Sequence, residues 1–131
     1  MPNYKEMIRN ILGEIPLTAE FYYELKKKNQ PFTRYSLKNI QAHLPQMLED
    51  IENGKKTNEN PKKVFVFASL HYWIEHAATV ALYYSALGHD VTFGYLPYSD
   101  WQKPVNKFDL RRQDIYTKKI LHDAEKYIKI V

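Results

Sequence analysis

The sequence predicts an α/β protein in which a parallel β-α-β-α-β layer follows an α-helical N-terminal segment. Three observations carry this expectation. Residues 64–68 are a short apolar run of β-branched and aromatic side chains, opened by Lys62 and Lys63 behind Pro61, and read as a strand buried on both faces. Residues 73–87 carry Ile74, Ala77, Ala78, Val80, Ala81, Leu82, Ala86 and Leu87, too long and too rich in alanine for a strand, so they read as a largely buried helix. Gly88 stands where a left-handed residue would end that helix, and residues 91–96 follow as a second strand stopped by Pro97. A parallel pair needs a crossover of this length and the crossover is almost always right-handed, so the layer expected is Rossmann-like.

The segment ahead of this unit reads as helices. Pro2 suits a first helical position, and Tyr4, Met7, Ile8, Ile11 and Leu12 recur at helical spacing until Gly13 and Pro16 stop the pattern. Thr18 can cap a second helix through Phe21, Tyr22 and Leu25, with Lys26, Lys27 and Lys28 at its end and Pro31 closing it. Ser36 can cap a third, striped by Leu37, Ile40, Leu44, Met47 or Leu48 and Ile51, in which Pro45 should produce a kink or a break. These stripes are expected to pack into a core. Residues 53–61 lack any large apolar side chain and read as a linker, which divides the chain into a helical segment (1–52), the linker, and the α/β unit (62–131).

After the second strand, residues 97–109 form a polar and aromatic loop with two prolines. Asp109 is a plausible cap for a helix to about Lys126, and residues 127–131 look like a third strand. Three parallel strands without a further helix leave one face thinly covered and an edge bare, so the α/β unit is expected to be incomplete at its C-terminus, completed by a missing C-terminal domain or by a homo-oligomer.

Composition limits the function classes. At 131 residues with 44% apolar side chains, a single globular domain is expected, and no apolar run approaches a membrane span or a secretory signal, which points to a cytoplasmic protein. The absence of cysteine excludes disulfides, thiolate metal sites and a thiol nucleophile. The net charge of +4 comes from lysines scattered over the chain rather than gathered in a block, so nucleic acid is not an expected partner. Eleven tyrosines suit half-buried surfaces and sugar-binding clefts.

In open α/β sheets ligands sit outside the carboxyl ends of the strands, which singles out two loops. The first holds Ser69, His71, Tyr72, Glu75 and His76. It contains no glycine, so neither a dinucleotide fingerprint nor a phosphate loop fits, and no cofactor is expected. The spacing of His71, Glu75 and His76 is one residue longer than an inverted zincin motif and puts the histidines on different helix faces, so no metal is expected; one histidine can serve as general acid/base. The second loop holds Tyr98, Ser99, Asp100, Trp101, Gln102 and Lys103, where Trp101 could stack on a sugar or base while Asp100 accepts its hydroxyls. Arg111 and Arg112 fall in the first turn of the next helix, where the dipole disfavours them unless a carboxylate such as Asp109 or Asp114 compensates.

The strand ending VFVFAS, the helix, and the ending ALYYSALGHDVTFGYLPY resemble the first βαβ unit of the two-Rossmann-domain (GT-B) glycosyltransferases of the capsule or polysaccharide type, whose helix runs into a Leu-x-x-x-Gly-His-x-Val segment. Here that segment is Leu82 or Ala86 to Leu87, then Gly88, His89 and Val91, and the resemblance covers 62–98. It implies an acceptor-side domain that works with a sugar acceptor and a nucleotide-sugar donor. It also implies a base after the first strand, pointing to His71 or His76, with Glu75 to orient one of them. The usual Gly-Gly after the first strand is missing. The cobalamin-binding module is a rival resemblance, but residues 69–74 keep only its histidine, as His71, and lose both flanking residues. A non-catalytic interaction or small-ligand-binding module is the alternative from another class.

Overall fold

The computed structural model describes residues 3–26, 36–98, 102 and 106–131. Among these the chain forms α1 (Tyr4–Glu14), α2 (Thr18–Lys26), α3 (Lys38–Gly54), β1 (Lys63–Ala68), a 3₁₀ turn (His71–Trp73), α4 (Ile74–Ala86), β2 (Asp90–Tyr95), α5 (Lys107–Leu121), a 3₁₀ segment (His122–Lys126) and β3 (Lys129–Ile130). The strands make one parallel sheet in the order β1-β2-β3, with Val64 opposite Val91 and Phe93 opposite Ile130. The protein is therefore mixed α/β with a three-stranded parallel sheet. Helices outweigh strands, and β3 contributes only two residues.

Alternation along the strands sorts the sheet into a covered and an open face. Val91, Phe93 and Tyr95 of β2 and Ala68 of β1 point into a core shared with Ile74, Ala78, Ala81 and Leu82 of α4 and with Ile40, Leu44 and Ile51 of α3. Burying a side chain such as Leu82 or Phe93 is worth about 1.5–3 kcal/mol. β1 is not buried on both faces as its composition suggests: Phe65 and Phe67 stand 64% and 51% exposed on the other face. Their rings stack 6.1 Å apart and lie over Gly94, where a Cβ would come within 2.8 Å of Phe65. An apolar run is expected for a strand covered twice, but here, among the described residues, only the α4 face of β1 is covered.

Gly88 ends α4 as expected, with φ of 81° and its N–H on the Ser85 carbonyl at 2.9 Å. His89 then holds the linker down. Its Nδ1 lies 3.2 Å from the Lys62 amide and 3.3 Å from Asn58 Nδ2, while the same Asn58 nitrogen donates to the Leu87 carbonyl.

Three local expectations in the helical segment give way to tertiary contacts. α3 runs through the exposed Pro45 without the break that is one of the two expectations, because Ile40 and Leu44 before it and Ile51 after it are anchored in one core. Its N-cap is Leu37, not Ser36, and no side chain of the local sequence caps it. Thr18 does not sit ahead of α2 but opens it, and its hydroxyl donates back to the Leu12 and Ile15 carbonyls at the end of α1.

α1 departs furthest from expectation. Its apolar stripe does not enter the core; Gly13 is its one buried residue among those described. The helix docks on α5 through its opposite face, where a Cβ on Gly13 would come within 2.7 Å of the Phe108 nitrogen. Arg9 reaches Asp109 at 3.3 Å, Glu14 pairs with Lys107, and Arg111 donates to the Gly13 and Ile15 carbonyls at 3.1 and 2.9 Å and to Glu20 at 2.6 Å. These contacts also answer the arginine question. Arg112 lies 3.5 Å from Asp109, as expected for one of the two, but Arg111 is matched by Glu20 of α2.

α5 is capped by Asn106, whose side chain accepts from the Asp109 amide at 3.1 Å, rather than by Asp109 itself. Burial raises the Tyr95 phenol above its ordinary range, and its hydrogen bond to Asp114 at 2.7 Å adds to that.

Candidate functional site

The carboxyl ends of β1 and β2 bring the two predicted loops together through the backbone. Leu96 donates to the Ala68 carbonyl at 2.9 Å, extending the strand pairing by one residue, and His71 then donates its amide to the Tyr98 carbonyl at 2.9 Å. The chain after Ser69 cannot simply continue as strand, because the 3₁₀ turn begins there and Trp73 N–H closes on the Leu70 carbonyl at 3.0 Å. That turn sends successive side chains in different directions. His71 is driven inward and is fully buried, whereas Tyr72 and Trp73 point outward.

Tyr72, Trp73 and His76 form an exposed aromatic cluster on this edge. The Tyr72 and Trp73 rings are 5.5 Å apart and tilted, and the His76 imidazole meets the Trp73 indole edge to face at 5.9 Å. Ser69 is exposed and Tyr98 half-buried beside them. Asp100, Trp101 and Lys103, with Ser99, lie outside the described residues.

Glu75 does not face either candidate base in a hydrogen bond. Its carboxylate accepts from the Asn39 amide at 3.0 Å, from Asn39 Nδ2 at 3.1 Å and from the Ile40 amide at 3.3 Å, and so supplies the cap that α3 lacks. A helix amino terminus offers unpaired N–H groups and a partial positive charge, which a carboxylate satisfies on both counts.

Behind this capped end, α3 and α4 enclose a groove of about 510 Å³. Ile40 and Met47 line it from α3 and Val80 from α4, with His43 and His76 on its two sides. Its size and largely apolar lining match those of small-molecule sites. A second groove of about 560 Å³ lies at the amino ends of the strands, between Lys55, His89, Asp90, Glu125 and Lys126. That end carries charges of both signs, and among the described residues no amino-terminal residue of an α-helix lines it, so the carboxyl edge is the chemically better placed of the two. Among the described residues no group of three metal-ligating side chains converges.

Of the two predicted bases, the accessible one is therefore His76, and a base must reach its substrate. His71 is closed off by burial. Two site residues escape a reading of the sequence. Trp73 looks like the first apolar residue of a helix, and only the 3₁₀ turn ahead of α4 turns it outward. His43 has no neighbours of note in sequence, and only the α3–α4 packing brings it to the groove that His76 lines.

No family model matches the chain, and comparison with curated proteins and with solved structures returns no match. No helix among the described residues is long and apolar enough to cross a membrane.

Proposed function

We propose that this chain is a Rossmann-like ligand-binding unit that takes a sugar ring at the carboxyl edge of its sheet, as the acceptor-side part of a glycosyltransferase-like protein. The observation that carries this reading is the exposed cluster of Tyr72, Trp73 and His76 beside the backbone bond from His71 to Tyr98. Aromatic faces stack on the apolar side of a pyranose, and an imidazole at the edge of that platform is within reach of a ring hydroxyl. His76 is the base in this reading, Tyr72 and Trp73 are the platform, and Glu75 is a positioning residue that fixes α4 against α3. The donor is a nucleotide-sugar held by a second domain, in line with the lack of a glycine-rich phosphate loop after β1.

The test is a titration of the 131-residue chain with monosaccharides, disaccharides and nucleotide-sugars, followed by saturation-transfer NMR. Sugar protons should receive saturation in the wild type, and Trp73→Ala should weaken binding about tenfold or more. Binding that is blind to both Trp73→Ala and His76→Ala would move the ligand to another part of the molecule and end this reading.

A further inference from the structure

The structure leaves α1 inside out. Its Gly13, Arg9 and Glu14 meet α5, whereas Tyr4, Met7, Ile8, Ile11 and Ile15 are 76%, 49%, 52%, 54% and 46% exposed. On α1, positions 4, 8 and 11 fall in one narrow stripe diametrically away from Gly13, and Ile15, the C-cap residue just past the last helical turn, continues it. A surface helix normally presents such a stripe to its own core, and a contiguous apolar patch of this kind marks an interaction surface.

We propose that this stripe is a homodimer interface in which α1 packs antiparallel on α1 of a second copy. The argument is the symmetry of the stripe. Positions 4 and 15, and positions 8 and 11, are equidistant from one midpoint, so a two-fold axis through that midpoint sets Tyr4 of one copy over Ile15 of the other and Ile8 over Ile11. A surface that matches itself end for end is what an isologous contact requires. The charges on α1 argue against a membrane as the occupant. Lys5 and Arg9 are balanced by Glu6 and Glu14, and Arg9 and Glu14 are both engaged with α5, so α1 itself carries no basic rim to meet anionic lipid. The exposed area of these side chains amounts to several hundred Å² per copy, at the lower end of specific interfaces, which fits self-association with a Kd of roughly micromolar.

Sedimentation equilibrium and cysteine cross-linking test this on the 131-residue chain, which has no thiol of its own. The wild type should be a dimer at about 100 μM, and Ile8→Asp with Ile11→Asp should be monomeric with the circular-dichroism spectrum of the folded chain, because in a single copy both side chains are exposed. Mixing a Tyr4→Cys chain with an Ile15→Cys chain under mild oxidation should give the mixed disulfide, while Tyr4→Cys alone should not cross-link, since residues 4 and 15 of one helix are about 16 Å apart. A monomeric wild type, a dimer that survives both aspartates, or a Tyr4→Cys homodisulfide would each overturn the proposal. So would co-flotation of a monomeric wild type with phosphatidylserine vesicles, which would give the stripe to lipid instead.

Discussion

Glu75 and Asn39, 36 residues apart in the chain, are joined by two hydrogen bonds, from the Asn39 amide at 3.0 Å and from its Nδ2 at 3.1 Å. The first turn of α4 thus caps the first turn of α3, and the orientation of α3 on the core depends on a residue from the βαβ part of the chain. Glu75→Ala should lower stability by about 1–2 kcal/mol, as removal of a helix cap does, and Glu75→Gln by about half as much, since the amide oxygen still accepts but carries no charge. Urea denaturation gives both values. A midpoint unchanged in Glu75→Ala would mean that water replaces the carboxylate at no cost.

This contact also explains which parts of the molecule could be read from sequence. The βαβ elements, the end of α4 at Gly88 and the parallel pairing of β1 with β2 follow from local patterns: apolar runs of strand length, a helical period, and a glycine where φ turns positive. The role of Glu75 could not be read, because its partner lies in another helix. The same holds for Arg111, which finds Glu20, and for Pro45, which long-range packing carries within an intact helix. The α1 stripe misleads for a different reason. Periodicity establishes that a helix has an apolar face, but the docking side was decided by Gly13, which lets α1 approach α5 more closely than any larger residue could.

Arg111 fastens the first two helices to α5, and its pairing with Glu20 makes part of that attachment depend on pH. The hydrogen bond from Arg111 holds the Glu20 carboxyl below its ordinary value of 4.5. A carboxyl with a depressed folded-state pKa adds stability that is fully present above the unfolded value and is lost as pH falls through the folded one. Stability measured by urea should therefore decline as the pH is lowered below about 4.5, and Glu20→Gln should flatten that part of the profile. Arg111→Ala should cost more than Glu20→Gln at pH 7, because it also strips the donors from the Gly13 and Ile15 carbonyls.

Two residues with positive φ should respond to substitution in opposite directions. Gly88 has φ of 81°, and a Cβ there would come within 2.5 Å of the Lys56 carbonyl oxygen and 2.8 Å of Asn58 Cβ. Gly88→Ala should cost at least about 1–2 kcal/mol from backbone strain alone, with the overlap added. Leu17 has φ of 67° and is exposed, so its side chain contributes little packing to set against the same strain. Leu17→Gly should raise stability by up to about 1 kcal/mol, visible as a higher melting temperature in calorimetry.

The two histidines at the carboxyl edge should separate stability from activity. His71 is fully buried and its amide ties the turn after β1 to Tyr98, so His71→Ala should open a cavity and lower stability by about 2–4 kcal/mol. His76 is exposed and touches Trp73 by its ring edge, so His76→Ala should leave the urea midpoint within about 0.5 kcal/mol of the wild type. In a protein that also contains the donor domain, the same His76→Ala change should lower sugar transfer at least about 10²-fold if the imidazole is the base. The turnover loss should shrink as the pH is raised, because a stronger external base such as hydroxide then substitutes for the missing imidazole. A His76→Ala protein with full turnover would remove the base, and a His71→Ala protein that is stable yet inactive would transfer that role to the buried residue, which would then have to be uncovered during the reaction.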